Sequence, residues 1–238
     1  GNQAPTAAPG GDASETPAGD GNVTISVVVK GKNTYWALVE AGARQAGQDL
    51  GVTVNFNAPD TENEPDRQIN MLTTAINSKS SGIGFAPQDG AQESAPGILE
   101  EAKAANIPVI IMDTPLVNES DVPITTIASD NPGIGAQVAE NLSKLLDGKG
   151  KVAMVTNGIT GTGGARRDGF LDWMKANAPG IEVVDVQDGE ADQAKSADKA
   201  QGILQANPDL AGLAGTGQDA TVAIGDMIAQ LGSKALGV

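Results

Sequence analysis

The 238-residue chain contains no cysteine and no histidine. Those two absences remove disulfides, thiolate nucleophiles and Cys/His zinc sites together. They also remove the Ser-His-Asp triad and the commonest general base. A cysteine-free chain is compatible with an oxidising compartment without identifying one. Aromatic residues make up only 3% of the chain, so its cores must be built from Val, Ile, Leu and Ala. Basic residues are also scarce: 15 Lys and Arg stand against 30 Asp and Glu, a formal net charge of -15. Nucleic-acid binding needs a basic footprint, which this balance does not supply. The acidity favours solubility and does not by itself make a ligand cationic. No apolar run approaches the roughly 20 residues of a membrane-spanning helix.

Residues 1–22 read GNQAPTAAPGGDASETPAGDGN, without Val, Leu, Ile, Met or an aromatic residue. Such a segment cannot bury enough surface to offset its chain entropy and is expected to be a disordered tether. It begins with Gly rather than Met, which suggests upstream processing. It is similar to the segment after the lipid-modified cysteine of a bacterial lipoprotein; an ordinary linker is the alternative.

From Val23 the chain alternates short apolar runs with helical patterns. VTISVVV (23–29) predicts a strand buried on both faces. Helix is expected over 35–50, with Leu38, Ala41, Ala46 and Leu50 near helical spacing. Strands are expected at 52–56, 82–86, 108–112 and 124–128, and helices at 65–77, 91–105 and 132–146. The pattern then restarts, with strands at 151–156, 181–186 and 210–214 and helices at 165–178, 191–206 and 220–231. Residues 235–238 begin another strand. Repeated βα units predict parallel sheets covered by helices on both faces. The break near 128–150 predicts two lobes, 23–128 and 129–238. Ligands of open α/β sheets bind beyond the carboxyl ends of the strands, so facing lobes place a site in the cleft between them. GITGTGG (158–164) looks like a phosphate loop but lacks the G-K-[ST] ending, and no dinucleotide fingerprint follows the first strand. No cofactor is expected.

Six stretches occur in an order that resembles the type I periplasmic binding protein family, particularly its ribose- and allose-binding members. They are KNTYW (32–36), FAPQD (85–89), NIPVIIMD (106–113), TIASDN (126–131), ARRDGF (165–170) and ANPDLAGLAGTGQD (206–219). The resemblance runs from about Val23 to Val238. It implies an α/β fold of two Rossmann-like lobes with a ligand cleft between them. It also implies a non-enzymatic protein that captures a sugar or related polyol outside the cytoplasm and delivers it to an ABC importer permease. A sensor that presents a sugar or furanosyl signal to a membrane receptor is the alternative. A repressor core would need a basic helix-turn-helix that residues 1–22 cannot supply, and no acid/base pair argues for an enzyme. A monomer is expected.

The resemblance nominates Lys30, Asn33, Tyr35 and Trp36 after the first strand, with Asn33 also a candidate helix N-cap. The two aromatics would stack on the sugar ring or pack the lobe. Gln88 and Asp89 would line the rim, and Asp113 would accept from two hydroxyls. Replacing Asp113 is expected to weaken binding and leave fold stability almost unchanged. Arg166 offers a donor fork from the second lobe, whereas Arg167 is expected to be solvated. Gln218 and Asp219 would bind ligand or cap a helix. Thr114, Ala86, Ala191 and Gly217 depart from the ribose-binding pattern and imply a roomier, less polar site. Finally, the family's chain crosses between its lobes three times, so a C-terminal part appears to be missing here. A late Asp and Gln that relatives use cannot be mapped.

Overall fold

The computed structural model describes residues 23–117 and 120–238. The tether expected at 1–22 lies outside the described residues. The first lobe runs β1 (Thr24–Val28), α1 (Thr34–Leu50), β2 (Thr53–Asn57), α2 (Pro65–Asn77), β3 (Gly82–Phe85), α3 (Ala95–Ala104), β4 (Val109–Met112) and β5 (Pro123–Ile127). Its sheet is all parallel, in the order β2-β1-β3-β4-β5. The second lobe runs α4 (Asn131–Leu145), β6 (Gly150–Thr156), α5 (Gly161–Asn177), β7 (Ile181–Asp188), α6 (Gln193–Ala206), β8 (Leu210–Gly215), α7 (Gln218–Leu231) and β9 (Leu236–Gly237). Its sheet is also parallel, in the order β7-β6-β8-β9. No helix among the described residues is long and apolar enough to cross a membrane.

The central strands are buried on both faces, as a continuous β-branched run requires. In β1 and the residue after it the side chains alternate. Val28 joins Leu72, Leu99 and Phe85 under α2 and α3, whereas Val27 and Val29 join Trp36 on the α1 side. In β6, Ala153 and Val155 pack under α6 and α7, and Val152 and Met154 pack under α4 and α5. Each lobe therefore has two half-cores divided by its sheet.

Three local expectations are corrected. The stripe Leu38, Ala41, Ala46 and Leu50 faces solvent. Helix α1 packs instead through Trp36, Val39, Ala43 and Gly47, which are also at helical spacing. Gly47 permits this: a Cβ there would lie 2.7 Å from Val54 Cγ2. The second correction is at GITGTGG. Gly161–Gly164 is the first turn of α5 and not a loop, so the helix begins four residues before the position expected. Conversely, α3 starts at Ala95 and not at 91, because Asp89 first closes a turn by accepting from the Ala91 amide at 2.9 Å.

Candidate functional site

In both sheets the strand order reverses beside the first strand of the lobe. Consecutive loops diverge there, between β1 and β3 and between β6 and β8, and leave a crevice at the carboxyl ends. The two crevices face each other across a cavity of about 450 Å³. All of the residues singled out from the sequence line it: Lys30, Asn33, Tyr35, Trp36, Gln88, Asp89, Asp113, Arg166, Gln218 and Asp219. The lobes touch at its rim, where Asn63 Nδ2 donates to the Glu190 carbonyl at 2.7 Å.

On the first lobe, buried Gln68 stitches the loops together. Its Nε2 donates to the carbonyls of Val29 and Ala86, and its Oε1 accepts from the Gln88 amide. Gln88 continues the stitching, with Nε2 donating to the carbonyls of Lys30 (2.6 Å) and Thr61 (3.0 Å). Both amide hydrogens of Gln88 are therefore engaged by backbone. Lys30, only 5% exposed, has its ammonium 2.6 Å from Asp113 Oδ2. A cation this buried needs such a partner. Asp113 follows β4 with φ +64°, in the left-handed region, and its amide donates to the Ile127 carbonyl.

Asn33 caps α1: its Oδ1 accepts from the Trp36 amide at 3.0 Å. Trp36 is buried and packs within the lobe, whereas Tyr35 is 49% exposed. Their rings meet edge to face, with centroids 4.9 Å apart and planes at 81°. Tyr35 is thus the aromatic face open to the cavity. Partial burial, followed by the charge of Asp113, pushes the Tyr35 hydroxyl above its ordinary pKa, so it remains a neutral donor and acceptor.

On the second lobe, Arg166 Nε donates to Asn131 Oδ1 and Nη1 to the Thr216 carbonyl, both at 2.9 Å. The guanidinium thereby ties α5 to the start of α4 and the end of β8. Its Nη2 has no protein partner among the described residues. Arg167 is engaged with Asp168 and the Ile159 carbonyl. Asp219 lies in the first turn of α7 and accepts from Asn157 Nδ2 at 3.2 Å, and burial raises its pKa above the ordinary value.

The cavity also has residues that the sequence reading did not nominate: Glu62 after β2, Asn157 and Ile159 after β6, and Asp188 at the end of β7. The available signal was position alone, since each ends or follows a strand at the carboxyl edge of its sheet. Asn157 explains one departure noted above. A Cβ on Gly217 would lie 2.7 Å from Asn157 Cγ, so the Asn157 amide occupies the space that a side chain at 217 would take. Ala191 does line the cavity, with φ +49°, and the apolar surface on that lobe comes from Ile159, 61% exposed. Carboxylates can accept from hydroxyls, Arg166 and Lys30 can donate to them, and Tyr35 and Ile159 can meet C–H faces. Among the described residues no group of acidic side chains is placed to hold a metal ion.

Residues 25–237 match the model of the periplasmic binding protein domain. The chain belongs to that family. It is 27% identical over 206 residues to the D-apiose import binding protein of Actinobacillus succinogenes, covering 86% of this chain and 64% of the relative. It is 26% identical over 188 residues to the D-allose-binding periplasmic protein of Escherichia coli, covering 75% and 58%. The chain thus spans about three fifths of the length of these curated relatives. Among solved structures, it is similar to a carbohydrate transporter solute-binding protein from Agrobacterium radiobacter in complex with D-arabinose. That match has a TM-score of 0.83 and 27% identity, covering 90% of this chain and 73% of the other. A second is an ABC transporter solute-binding protein from Agrobacterium vitis with bound D-fucose, with a TM-score of 0.81 and 28% identity, covering 88% and 72%. The two-lobe α/β architecture expected from the sequence is therefore that of the family.

Proposed function

We propose that this chain captures a sugar or related polyol in the cleft between its lobes and presents it to an ABC importer permease outside the cytoplasm. The observation that carries this reading is the composition of the cavity. A buried Lys30–Asp113 pair, an exposed Tyr35 face and the Arg166 fork converge from two lobes on one polar space of monosaccharide scale. The relatives named for D-apiose and D-allose, and the neighbours holding D-arabinose and D-fucose, support the same ligand class. No residue is assigned a catalytic role; these groups serve binding and positioning. Lys30, Tyr35, Asp113 and Arg166 are the groups proposed to contact ligand first. Asn33, Trp36 and Gln88 hold those groups in place, and Asp89, Gln218 and Asp219 complete the rim.

The test is a thermal-shift screen of pentoses, hexoses and polyols on the full chain. A ligand at 100 times its Kd adds about 2.7 kcal/mol of stability. At about 2–4 °C per kcal/mol for this chain length, the Tm should rise by roughly 5–11 °C. Failure of every sugar and polyol to raise the Tm, with an amino acid or nucleotide succeeding, would overturn the reading.

A further inference from the structure

We propose that Glu62, in the loop after β2, is the positioning residue of the ligand-facing wall on the first lobe. One carboxylate oxygen holds both groups behind that wall. Glu62 Oε1 accepts from Trp36 Nε1 at 2.7 Å and from Asn33 Nδ2 at 2.9 Å. Trp36 is 3% exposed, so its indole N–H must find an acceptor within the protein. Asn33 uses its other amide end to cap α1. The orientation of the Asn33 amide is therefore fixed from both sides. Tyr35, which opens on the cavity, rests edge to face on the Trp36 ring that Glu62 holds.

The backbone is arranged to bring Glu62 this close. A Cβ on Gly31 would lie 2.9 Å from Glu62 Cγ, 3.0 Å from the Thr61 carbonyl carbon and 3.1 Å from the Glu62 amide. Glycine at 31 thus lets the loop after β1 press against the loop after β2. The Thr61 carbonyl is in turn held by Gln88. Glu62 is the meeting point of three loops, and its geometry decides where Tyr35, Trp36 and Asn33 stand.

The experiment has a ligand-free arm and a ligand arm, and the ligand arm rests on the sugar-capture reading. In the full chain labelled with nitrogen-15, the Trp36 indole N–H signal is distinguished from that of Trp173 by a Trp173→Phe background. Glu62→Ala should shift the Trp36 signal upfield and speed its exchange with water. Gly31→Ala should do the same, although it leaves the carboxylate in the chain. Glu62→Gln should keep the bonded signal, because its amide oxygen still accepts both donors. In the ligand arm, affinity is measured for whichever of D-arabinose, D-fucose and D-allose raises the wild-type Tm most. Glu62→Ala should weaken it roughly tenfold and Glu62→Gln by less than about threefold.

An unmoved indole signal in Glu62→Ala would overturn the proposal. So would equal losses of affinity in the Gln and Ala variants, which would make the charge and not the positioning responsible. A shifted signal with unchanged affinity would show that the wall is not part of the site. Binding of none of the three sugars by the wild type would count against the capture reading alone, and the indole signal would still decide the positioning.

Discussion

Asp113→Asn is the substitution that best separates a ligand group from a structural one, because Asp113 lines the cavity, where it is proposed to contact ligand, and is also paired with Lys30. Its Oδ2 lies 2.6 Å from the ammonium of Lys30, with the two side chains 20% and 6% exposed. Removing one partner of a buried ion pair costs about 3–5 kcal/mol, chiefly because the other charge is left uncompensated. Asp113 is not fully buried, and the amide retains an acceptor oxygen. The expected cost is therefore lower, about 2–3 kcal/mol. At about 2–4 °C per kcal/mol, the ligand-free Tm should fall by roughly 4–12 °C. This corrects the sequence-based expectation of an almost unchanged fold, which took Asp113 for a solvent-facing residue. Asparagine is the appropriate replacement because it tolerates the left-handed region that φ +64° requires. Alanine would add backbone strain to the electrostatic effect.

The decisive assay is a double-mutant cycle with Lys30→Met, which keeps the stem and removes the charge. The double variant should be more stable than Asp113→Asn alone, since a neutral pair replaces an uncompensated cation. Sugar affinity should fall about 10- to 150-fold in Asp113→Asn, the loss of one hydrogen bond to a charged group. An unchanged Tm in Asp113→Asn, with additive effects in the cycle, would refute the pairing argument whatever happens to affinity.

Three further outcomes follow from the second lobe. Arg166→Lys removes a planar fork bonded to Asn131 and Thr216, so both ligand-free stability and sugar affinity should drop by about 1–3 kcal/mol, read by melting curves and calorimetry. Gly217→Ala should cost about 1–3 kcal/mol because its Cβ would meet Asn157, whereas Gly225→Ala, in open space on α7, should stabilise by up to about 1 kcal/mol. Asp219→Asn tests the raised pKa. A folded pKa above 3.8 means that the folded state binds more protons, so this group's contribution to stability declines as pH rises through that window. The Tm of Asp219→Asn relative to wild type should therefore climb over the same window and then level off; a pH-independent difference would refute it.

How much of this was legible in the sequence depends on which forces fixed each feature. The run VTISVVV needed two apolar faces, and the structure supplies both. Helix α2 spans 65–77 as expected because Pro65 starts it and Leu72 and Ile76 recur on the buried side. Helix α1 lies where it was expected, but its buried face differs because Leu38 and Leu50 outweigh Gly47 on any hydrophobicity scale. What decided its packing was close approach to Val54, and that is a property of space. GTGG in α5 was misread for a related reason: Gly163 and Gly164 are buried in the helix's first turn, although glycine ordinarily argues against a helix. Most of the nominated cavity-lining residues were legible where a motif and a strand end coincided. Glu62 and Asn157 were not, because neither lies in a stretch that carried the resemblance, and each acts through partners distant in sequence.

The division of polar groups in the cleft explains why such residues matter. Gln68, Gln88, Asn33 and Asn157 bond mainly to protein and hold the loops, so the groups left over can meet a ligand without first being ordered. The same economy applies between the lobes. Among the described residues, the one side-chain hydrogen bond across the cleft rim, Asn63 to Glu190, is exposed. Such a bond contributes about 0.5–1.5 kcal/mol, a bias of roughly 2- to 13-fold between open and closed arrangements. Moving a hinge from 1:99 to 99:1 takes about 5.5 kcal/mol. For a hinge that closes around its ligand, most of that difference must come from contacts that the ligand makes with both lobes at once. Tyr35 and Asp113 on one side and Arg166 on the other line the same cavity and are the groups proposed to provide them.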